Sequence, residues 1–191
     1  MRYVDEYRAP EQVLQLIDRL NSRASLLDYT KEKPLRIMEV CGGHTHAIFK
    51  FGLDQLLPEN IEFIHGPGCP VCVLPMGRID SCLDIASRPG VIFCTFGDAM
   101  RVPGKNGSLL QAKARGADVR IVYSPMDALT LAMANPERKV VFFGLGFETT
   151  MPATAITLQQ AKARNVTNFY FFCQHITLIP TLRSLLEAPD N

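Results

Sequence analysis

The chain has 191 residues, of which 47% are hydrophobic, and its 20 basic and 19 acidic residues nearly balance. That much apolar material can fill a core, which argues against disorder, and the even charge argues against a basic surface for nucleic acid or anionic membrane. No apolar run approaches the roughly 20 residues that span a bilayer, and the charged N-terminus lacks the apolar core of a signal peptide. We therefore expect a cytoplasmic protein with neither a nucleic-acid nor a membrane partner.

Apolar spacing predicts short strands that alternate with helices along the chain. The first helix follows Pro10, with apolar residues at positions 13, 16, 17 and 20. The predicted strands are residues 35–40, 61–64, 91–96, 119–123, 140–145 and 169–173. Further helices are predicted for residues 47–57, 79–86, 108–115, 125–134 and 149–164, and after Pro180.

This alternation predicts an α/β fold with parallel sheets flanked by helices, because each parallel pair of strands needs a helical crossover. A polar segment around Gly116 suggests a boundary between a first lobe, residues 1–116, and a second lobe, residues 117–191. The chain stops soon after the helix that follows the sixth strand. We therefore expect the second lobe to be incomplete.

Three consecutive predicted strands are each followed by side chains that carry chemistry. Cys41 follows the first strand, the pair Cys69 and Cys72 follows the second, and Asp98 follows the third. Ligands of open parallel sheets bind beyond the carboxyl ends of the strands. If the three strands are neighbours, with about 4.8 Å between adjacent ones, their loops converge on one pocket.

The segment Cys41–His46, with the sequence CGGHTH, has the composition of a functional site. A thiol at the mouth of a helix is stabilised as a thiolate by unpaired N–H groups, and it can act as a nucleophile or a metal ligand. Gly42 and Gly43 permit a tight turn, and His44 can serve as a base, a proton donor or a nitrogen ligand. The alternative is a buried cysteine beside a helix-capping loop.

Cys69 and Cys72 form a C-x-x-C pair, a spacing that suits a reversible disulfide or two ligands on one metal ion. Pro67 and Pro70 stiffen this loop and favour a preorganised site. The alternative is a loop with two unreactive thiols.

The other cysteines favour structural roles. Cys82 lies on the apolar face of its predicted helix and Cys94 lies within a strand, so we expect both in the core. Cys173 ends the sixth strand, with His175 two residues later. Core packing is the favoured interpretation of Cys173, and a secondary site is the alternative.

Further polar residues flank the candidate loops. His46 and His65 either orient these loops through hydrogen bonds or have a structural role only. Asp98 and Arg101 either anchor a substrate or a partner, or form an ion pair that stabilises a turn.

The segment Gly144–Thr149 is superficially similar to a dinucleotide-binding loop. A negative charge at Glu148 is unsuited to a pyrophosphate, so we reject nucleotide binding there. We expect Glu148 and Thr149 to belong to a loop that faces the same cleft as the cysteines.

Four longer segments carry a resemblance to a known family: CGGHTHAIFKFGLDQLLP, IEFIHGPGCPVCVLP, FGDAMRVPG and GFETTMP. They resemble the HypD family of hydrogenase maturation factors, and the resemblance runs along the whole chain. It implies two Rossmann-like lobes that face a cleft. It also implies a scaffold on which the iron centre of nickel–iron hydrogenases, with two cyanides and one carbon monoxide, is assembled.

The resemblance further implies partners and site residues. The partners are a small HypC-type chaperone that shares the iron and a HypE-type protein that delivers cyanide. Cys41 is the expected iron ligand, His44 its neighbour, and Cys69 and Cys72 the iron-associated or redox-active pair. From the sequence itself, and not from the resemblance, we expect a further group of residues around them: Thr45, His46, Asp98, Arg101, Glu148 and Thr149.

One departure from the family concerns length. The family's chain continues well beyond this one and carries the cysteines of a [4Fe-4S] cluster in its C-terminal portion. None of those cluster ligands can be placed here, so the chain is interpreted as an N-terminal portion. We expect a metallocentre-assembly scaffold with thiol redox activity.

Two other functions compete with this interpretation. A thiol–disulfide oxidoreductase would use Cys69 and Cys72 on protein substrates, but such a pair normally begins a helix, and Pro70 and Pro75 predict a loop here. A structural zinc site in an interaction module would use Cys41, His44, Cys69 and Cys72, a set that suits tetrahedral zinc.

Overall fold

The structure is a computed structural model that describes residues 9–188. The chain divides into two compact units, Met1–Cys69 and Pro70–Asn191. The charged start at residues 1–8 and the chain end at residues 189–191, both considered in the sequence analysis, lie outside the described residues. No helix within residues 9–188 is long and apolar enough to cross a membrane.

The first unit contains a two-stranded parallel sheet. Its strands are β1 (Leu35–Glu39) and β2 (Ile61–His65), and its helices are α1 (Pro10–Ala24), α2 (Gly42–Phe51) and α3 (Leu53–Leu56). The register pairs Leu35 with Ile61 and Glu39 with His65, so both strands end at the same rim. The buried hydrophobic residues of its described part are Ala24, Ile48 and Ile61.

The helix after β1 differs from the prediction at both ends. It begins at Gly42, earlier than predicted, with Cys41 as its N-cap residue. It then ends at Phe51, and Gly52, which has a φ of 62°, caps it and separates α2 from α3. Glycine adopts this left-handed conformation without a steric penalty, which explains why one predicted helix becomes two.

The second unit contains a four-stranded parallel sheet with the order β4-β3-β5-β6. Its strands are β3 (Val91–Thr95), β4 (Val119–Ile121), β5 (Lys139–Gly146) and β6 (Phe169–His175). Its helices are α4 (Met76–Ala86), α5 (Leu109–Ala114), α6 (Pro125–Ala134), α7 (Met151–Ala163) and α8 (Leu178–Leu186). The predicted α/β class with parallel sheets and flanking helices is therefore confirmed.

The core of the second unit lies on both faces of β3 and β5. On one face, Phe93 and Phe143 pack with residues of α4 and α5. On the other face, Ile92 and Phe142 pack with residues of α6. Burial on both faces explains why these strands are continuously apolar rather than alternating.

Cys82 and Cys94 are both fully buried in this core, as predicted. Loss of hydration raises the pKa of each thiol to about 12. These two cysteines therefore stay protonated at neutral pH, and their role is packing.

The polar segment near Gly116 lies inside the second unit, where it connects α5 to β4. Strands β3 and β4 pair across it. Asp118 also connects this segment to the rest of the second unit, because its carboxylate accepts hydrogen bonds from Arg120 at 2.8 Å and from Arg138 at 2.8 Å. The Arg120 and Arg138 guanidinium groups hold the pKa of Asp118 at about 2, against a partial opposing effect of burial.

Candidate functional site

The candidate site of the first unit lies at the carboxyl rim of its sheet. Glu39 and His65 are paired as the last residues of β1 and β2. Cys41 follows β1 by two residues, and Cys69 follows β2 by four. Because the two strands are parallel neighbours, both loops leave the sheet on the same side.

Gly68 brings these two loops into direct contact. A Cβ atom at position 68 would lie 2.5 Å from the backbone nitrogen of Cys41 and 2.8 Å from its Cα. The Gly42 N–H donates to the Gly68 carbonyl at 3.2 Å. A residue with a side chain could not approach Cys41 this closely, so the glycine next to Cys69 is what allows the two cysteine-bearing loops to meet.

Gly66 fits against β1 in a similar way. Its N–H donates to the Glu39 carbonyl at 2.9 Å, and a Cβ atom there would lie 2.8 Å from the Met38 sulfur. The Gly68 N–H in turn donates to the Gly66 carbonyl at 2.8 Å. The whole segment from Gly66 to Gly68 therefore lies along the end of β1.

Glu39 is the centre of the hydrogen-bond network at this rim. Its carboxylate accepts from the Cys41 N–H at 2.9 Å, from the Thr45 hydroxyl, and from His65 Nδ1 at 2.7 Å. The side chain is only 9% exposed. The hydrogen bonds from Thr45, His65 and Cys41, in that order, lower the pKa of Glu39 to about 2.

Glu39 was missed in the sequence analysis, which interpreted it as part of a strand. A signal was available: a single acidic residue interrupts the apolar run just before the cysteine, at the end of a strand where ligands bind. Its partners, however, are separated from it by up to 26 residues in the chain. The sequence alone does not show that His65, the most distant of these partners, contacts Glu39.

The residues of CGGHTH have different surroundings. Cys41 is half-buried, and its side chain makes no capping hydrogen bond with α2, as far as the described residues go. Gly43 lies beside the Cys41 sulfur, since a Cβ atom at position 43 would be 3.6 Å from it. His44 and His46 are exposed, whereas Thr45 points its hydroxyl at Glu39.

The C-x-x-C pair is divided between the two units. Cys69 is the last residue of the first unit and is half-buried, whereas Cys72 belongs to the second unit and is exposed. Residues 70–73 form a turn, and α4 begins only at Met76. The pair therefore lies in a loop, as the prolines predicted.

The third predicted loop belongs to a different sheet. The expectation of one shared pocket required neighbouring strands, but β3, which precedes Asp98, lies in the four-stranded sheet. Asp98 accepts from the Ala99 N–H at 2.9 Å and caps a short 3-10 helix that contains Arg101. Its carboxylate therefore has a local structural role.

Glu148 and Thr149 also lie in the second unit, in a 3-10 helix after β5. The Glu148 carboxylate accepts from the Leu178 N–H at 2.8 Å, at the start of α8. Hydrogen bonds to backbone N–H groups, that of Glu148 itself first, lower its pKa. Thr149 is exposed. Sequence reasoning missed the connection between Glu148 and α8.

Cys173 corrects one prediction. It was expected to pack in the core, but it is exposed, because β6 is an edge strand and Cys173 lies near its carboxyl end. Its sulfur lies 3.8 Å from His175 Nδ1. Burial lowers the pKa of His175.

Metal binding was the expected role of Cys41, Cys69 and Cys72. Within residues 9–188, no three side chains of histidine, cysteine, aspartate or glutamate lie close enough together to hold a metal ion. The rim of the first unit does place one thiol, Cys41, beside a network of hydrogen bonds. Such a site can present a single soft ligand whose backbone is fixed.

Comparison with known proteins identifies the family. The chain matches the family model HypD, described as "Hydrogenase formation hypA family", over residues 11–191. It is 87% identical to the hydrogenase maturation factor HypD of Escherichia coli (strain K12), over 100% of this chain and 51% of that protein. It is 59% identical to the factor of the same name from Rhodobacter capsulatus, over 99% of this chain and 50% of that protein.

A third relative, the hydrogenase maturation factor HypD of Azotobacter vinelandii, is 49% identical over 100% of this chain and 49% of that protein. The chain spans about half the length of the curated relatives it matches. Since the family model covers nearly the whole of it, the chain belongs to the HypD family.

Proposed function

We propose that the chain takes part in hydrogenase maturation, as a scaffold that holds iron through the Cys41 thiolate while the Fe(CN)2CO unit is assembled. The observation that carries this proposal is the contact between Gly68 and the Cys41 backbone, which joins the two cysteine-bearing loops of the first unit. The relatives named as hydrogenase maturation factors support it. The iron is the cargo of this reaction and not a resident cofactor.

The chemistry of the cargo suits a thiolate. Cyanide and carbon monoxide withdraw electron density from low-spin ferrous iron, and a soft thiolate donates density back. In this proposal one cysteine supplies the protein's ligand at the rim. The diatomic ligands and a HypC-type partner occupy other positions on the iron, and a HypE-type protein delivers the cyanide.

Cys69 and Cys72 have a redox role in the proposal. The pair changes state by thiol–disulfide exchange with an external dithiol–disulfide couple, a balanced transfer of two electrons and two protons that leaves the iron ferrous, and in this way it gates the redox state of the site. Cys69 directly follows the glycine that touches Cys41, which favours this pair over a more distant thiol. Use of the pair on protein substrates is less well supported, since the pair lies in a turn and does not begin a helix.

The test is infrared spectroscopy of the chain purified anaerobically with a HypC-type partner. We expect cyanide and carbonyl stretching bands in the wild-type complex and their loss in a Cys41→Ala variant. Cys173→Ala is the matched control, because it removes an exposed thiol of the second unit and should leave the bands unchanged. Bands that persist in Cys41→Ala, or that are absent from the wild-type complex, would contradict the proposal.

A further inference from the structure

We propose that Glu39 is the positioning residue of the Cys41 site, and that it fixes both the Cys41 backbone and the tautomer of His65. Its two carboxylate oxygens accept different hydrogen bonds. One accepts from the Cys41 N–H, and the other accepts from Thr45 and from His65 Nδ1. Whatever Cys41 binds, the direction in which its backbone presents the thiol depends on this carboxylate.

The burial of Glu39 makes these hydrogen bonds consequential. A carboxylate with a 9% exposed side chain has little access to water, so its oxygens rely on protein donors. Hydrogen bonds to an ionised acceptor are also stronger than those between neutral groups. Its place just before the first turn of α2 adds a favourable interaction with the helix dipole.

The tautomer of His65 follows from the chemistry of the pair. An ionised carboxylate can only accept hydrogen bonds, so His65 Nδ1, at 2.7 Å from it, must carry the proton. When the imidazole is neutral, its other nitrogen, Nε2, then carries the lone pair. Glu39 thereby sets which nitrogen of His65 can accept a hydrogen bond or a metal.

The substitution Glu39→Gln tests this assignment while keeping the size of the side chain. A glutamine has one acceptor oxygen and one NH2 donor. The Cys41 N–H can only donate, so it needs the oxygen, and the NH2 group then faces His65 Nδ1. An imidazole can adapt to a donor by changing tautomer, so we expect the His65 proton to move from Nδ1 to Nε2.

The measurement is long-range proton–nitrogen NMR of the imidazole rings in the metal-free chain, at a pH of about 8.5, above the ordinary histidine pKa of about 6.5. The chain has 4 histidines, and a His65→Gln variant assigns the relevant signals. We expect the Nδ1–H form in the wild type and the Nε2–H form in Glu39→Gln. The matched control is Glu62→Gln, on β2, where Glu62 pairs with Arg36 at 3.5 Å on an exposed surface. It should retain the Nδ1–H form.

A second readout follows the Cys41 amide. Loss of one hydrogen bond of this kind changes the opening equilibrium of the amide about tenfold. The Glu39→Ala variant, which removes the acceptor, should therefore exchange the Cys41 amide proton about tenfold faster than Glu62→Ala. An Nε2–H tautomer in wild-type His65 overturns the proposal by itself, because the tautomer is read from the wild-type chain. Equal exchange rates in the two alanine variants would also overturn it.

The consequence for iron rests on the proposed function, and the two can fail separately. In the complex with a HypC-type partner, Glu39→Gln should shift or weaken the infrared bands, whereas Glu62→Gln should not. Unchanged bands in Glu39→Gln with lost bands in Cys41→Ala would overturn the positioning role and leave the ligand assignment intact. Unchanged bands in Cys41→Ala would remove the ligand assignment, and NMR would still decide the role of Glu39.

Discussion

At the scale of single residues, glycines determine the geometry of the candidate site. Gly68 has no φ in the left-handed region; what it provides is the absence of a side chain beside the Cys41 backbone. Gly77, in the first turn of α4, is the opposite case, since a Cβ atom there would meet nothing within 4 Å. The two glycines therefore have different tolerance for the same substitution.

We expect Gly68→Ala to separate the two loops, because its Cβ atom would lie 2.5 Å from a backbone atom that cannot rotate away. Forced contacts of this kind cost about 1–3 kcal/mol. The Gly42 amide, which donates to Gly68, should exchange its proton at least about tenfold faster in NMR exchange experiments. Gly77→Ala is the control and should leave that rate unchanged. Slow exchange of the Gly42 amide in Gly68→Ala would contradict the steric role.

The residue types in the sequence indicated where the site lies, but they did not indicate which residues contact one another there. The cysteines and glycines of the two loops stand out in the sequence because few structural roles need that combination. The importance of Glu39 did not stand out, since one of its partners, His65, comes from another strand. Cys173 was assigned to the core because its strand is apolar, and the edge position of that strand is a property of the whole sheet.

At the scale of elements, the sequence predicts helix bounds correctly where the signals that start a helix come from neighbouring residues. The helix α6 has the predicted bounds, 125–134, because Pro125 occupies its first turn and Ser124 caps it. The Ser124 hydroxyl accepts from the Asp127 N–H, and the Asp127 carboxylate accepts from the Ser124 N–H. This reciprocal pair is a capping box. It provides acceptors for two N–H groups that have no hydrogen-bond partner within the helix.

We expect Ser124→Ala to destabilise the second unit by about 1 kcal/mol, the usual cost of losing an N-cap. Urea denaturation followed by circular dichroism would measure the change. Thr130→Ala is the control on the same helix, because Thr130 is exposed and its hydroxyl donates to the Met126 carbonyl one turn earlier. It should change the free energy of unfolding by less than about 0.5 kcal/mol. Equal effects of the two substitutions would argue against the capping role.

At the scale of the whole molecule, the two units differ in how much they bury. In the described part of the chain, the first unit buries three hydrophobic residues, Ala24, Ile48 and Ile61, beside a two-stranded sheet. The second unit has two hydrophobic clusters on a four-stranded sheet. The sequence did not predict this division, because the choice of which strands pair in a sheet is decided by tertiary packing.

We expect hydrogen exchange measured by mass spectrometry to be slower in β3 and β5 than in β1 and β2. Amides in strands with a large buried core open only with the whole unit, whereas an isolated pair of strands is marginally stable. Peptides that contain Val91–Thr95 should retain deuterium protection longest. Equal protection of Leu35–Glu39 would show that the first unit is as stable as the second.

The closed ring of contacts at the rim of the first unit has a mechanical consequence. Glu39 holds Gly66 by its carbonyl and Cys41 by its carboxylate, and Gly68 holds Gly42. The backbone of the loop that carries Cys41 is therefore hydrogen-bonded to the backbone of the loop that carries Cys69, and separating the two loops would break the hydrogen bond from Gly42 to Gly68. If Cys41 holds the iron unit as proposed, a movement of its backbone away from the second loop would require the hydrogen bonds of this ring to break.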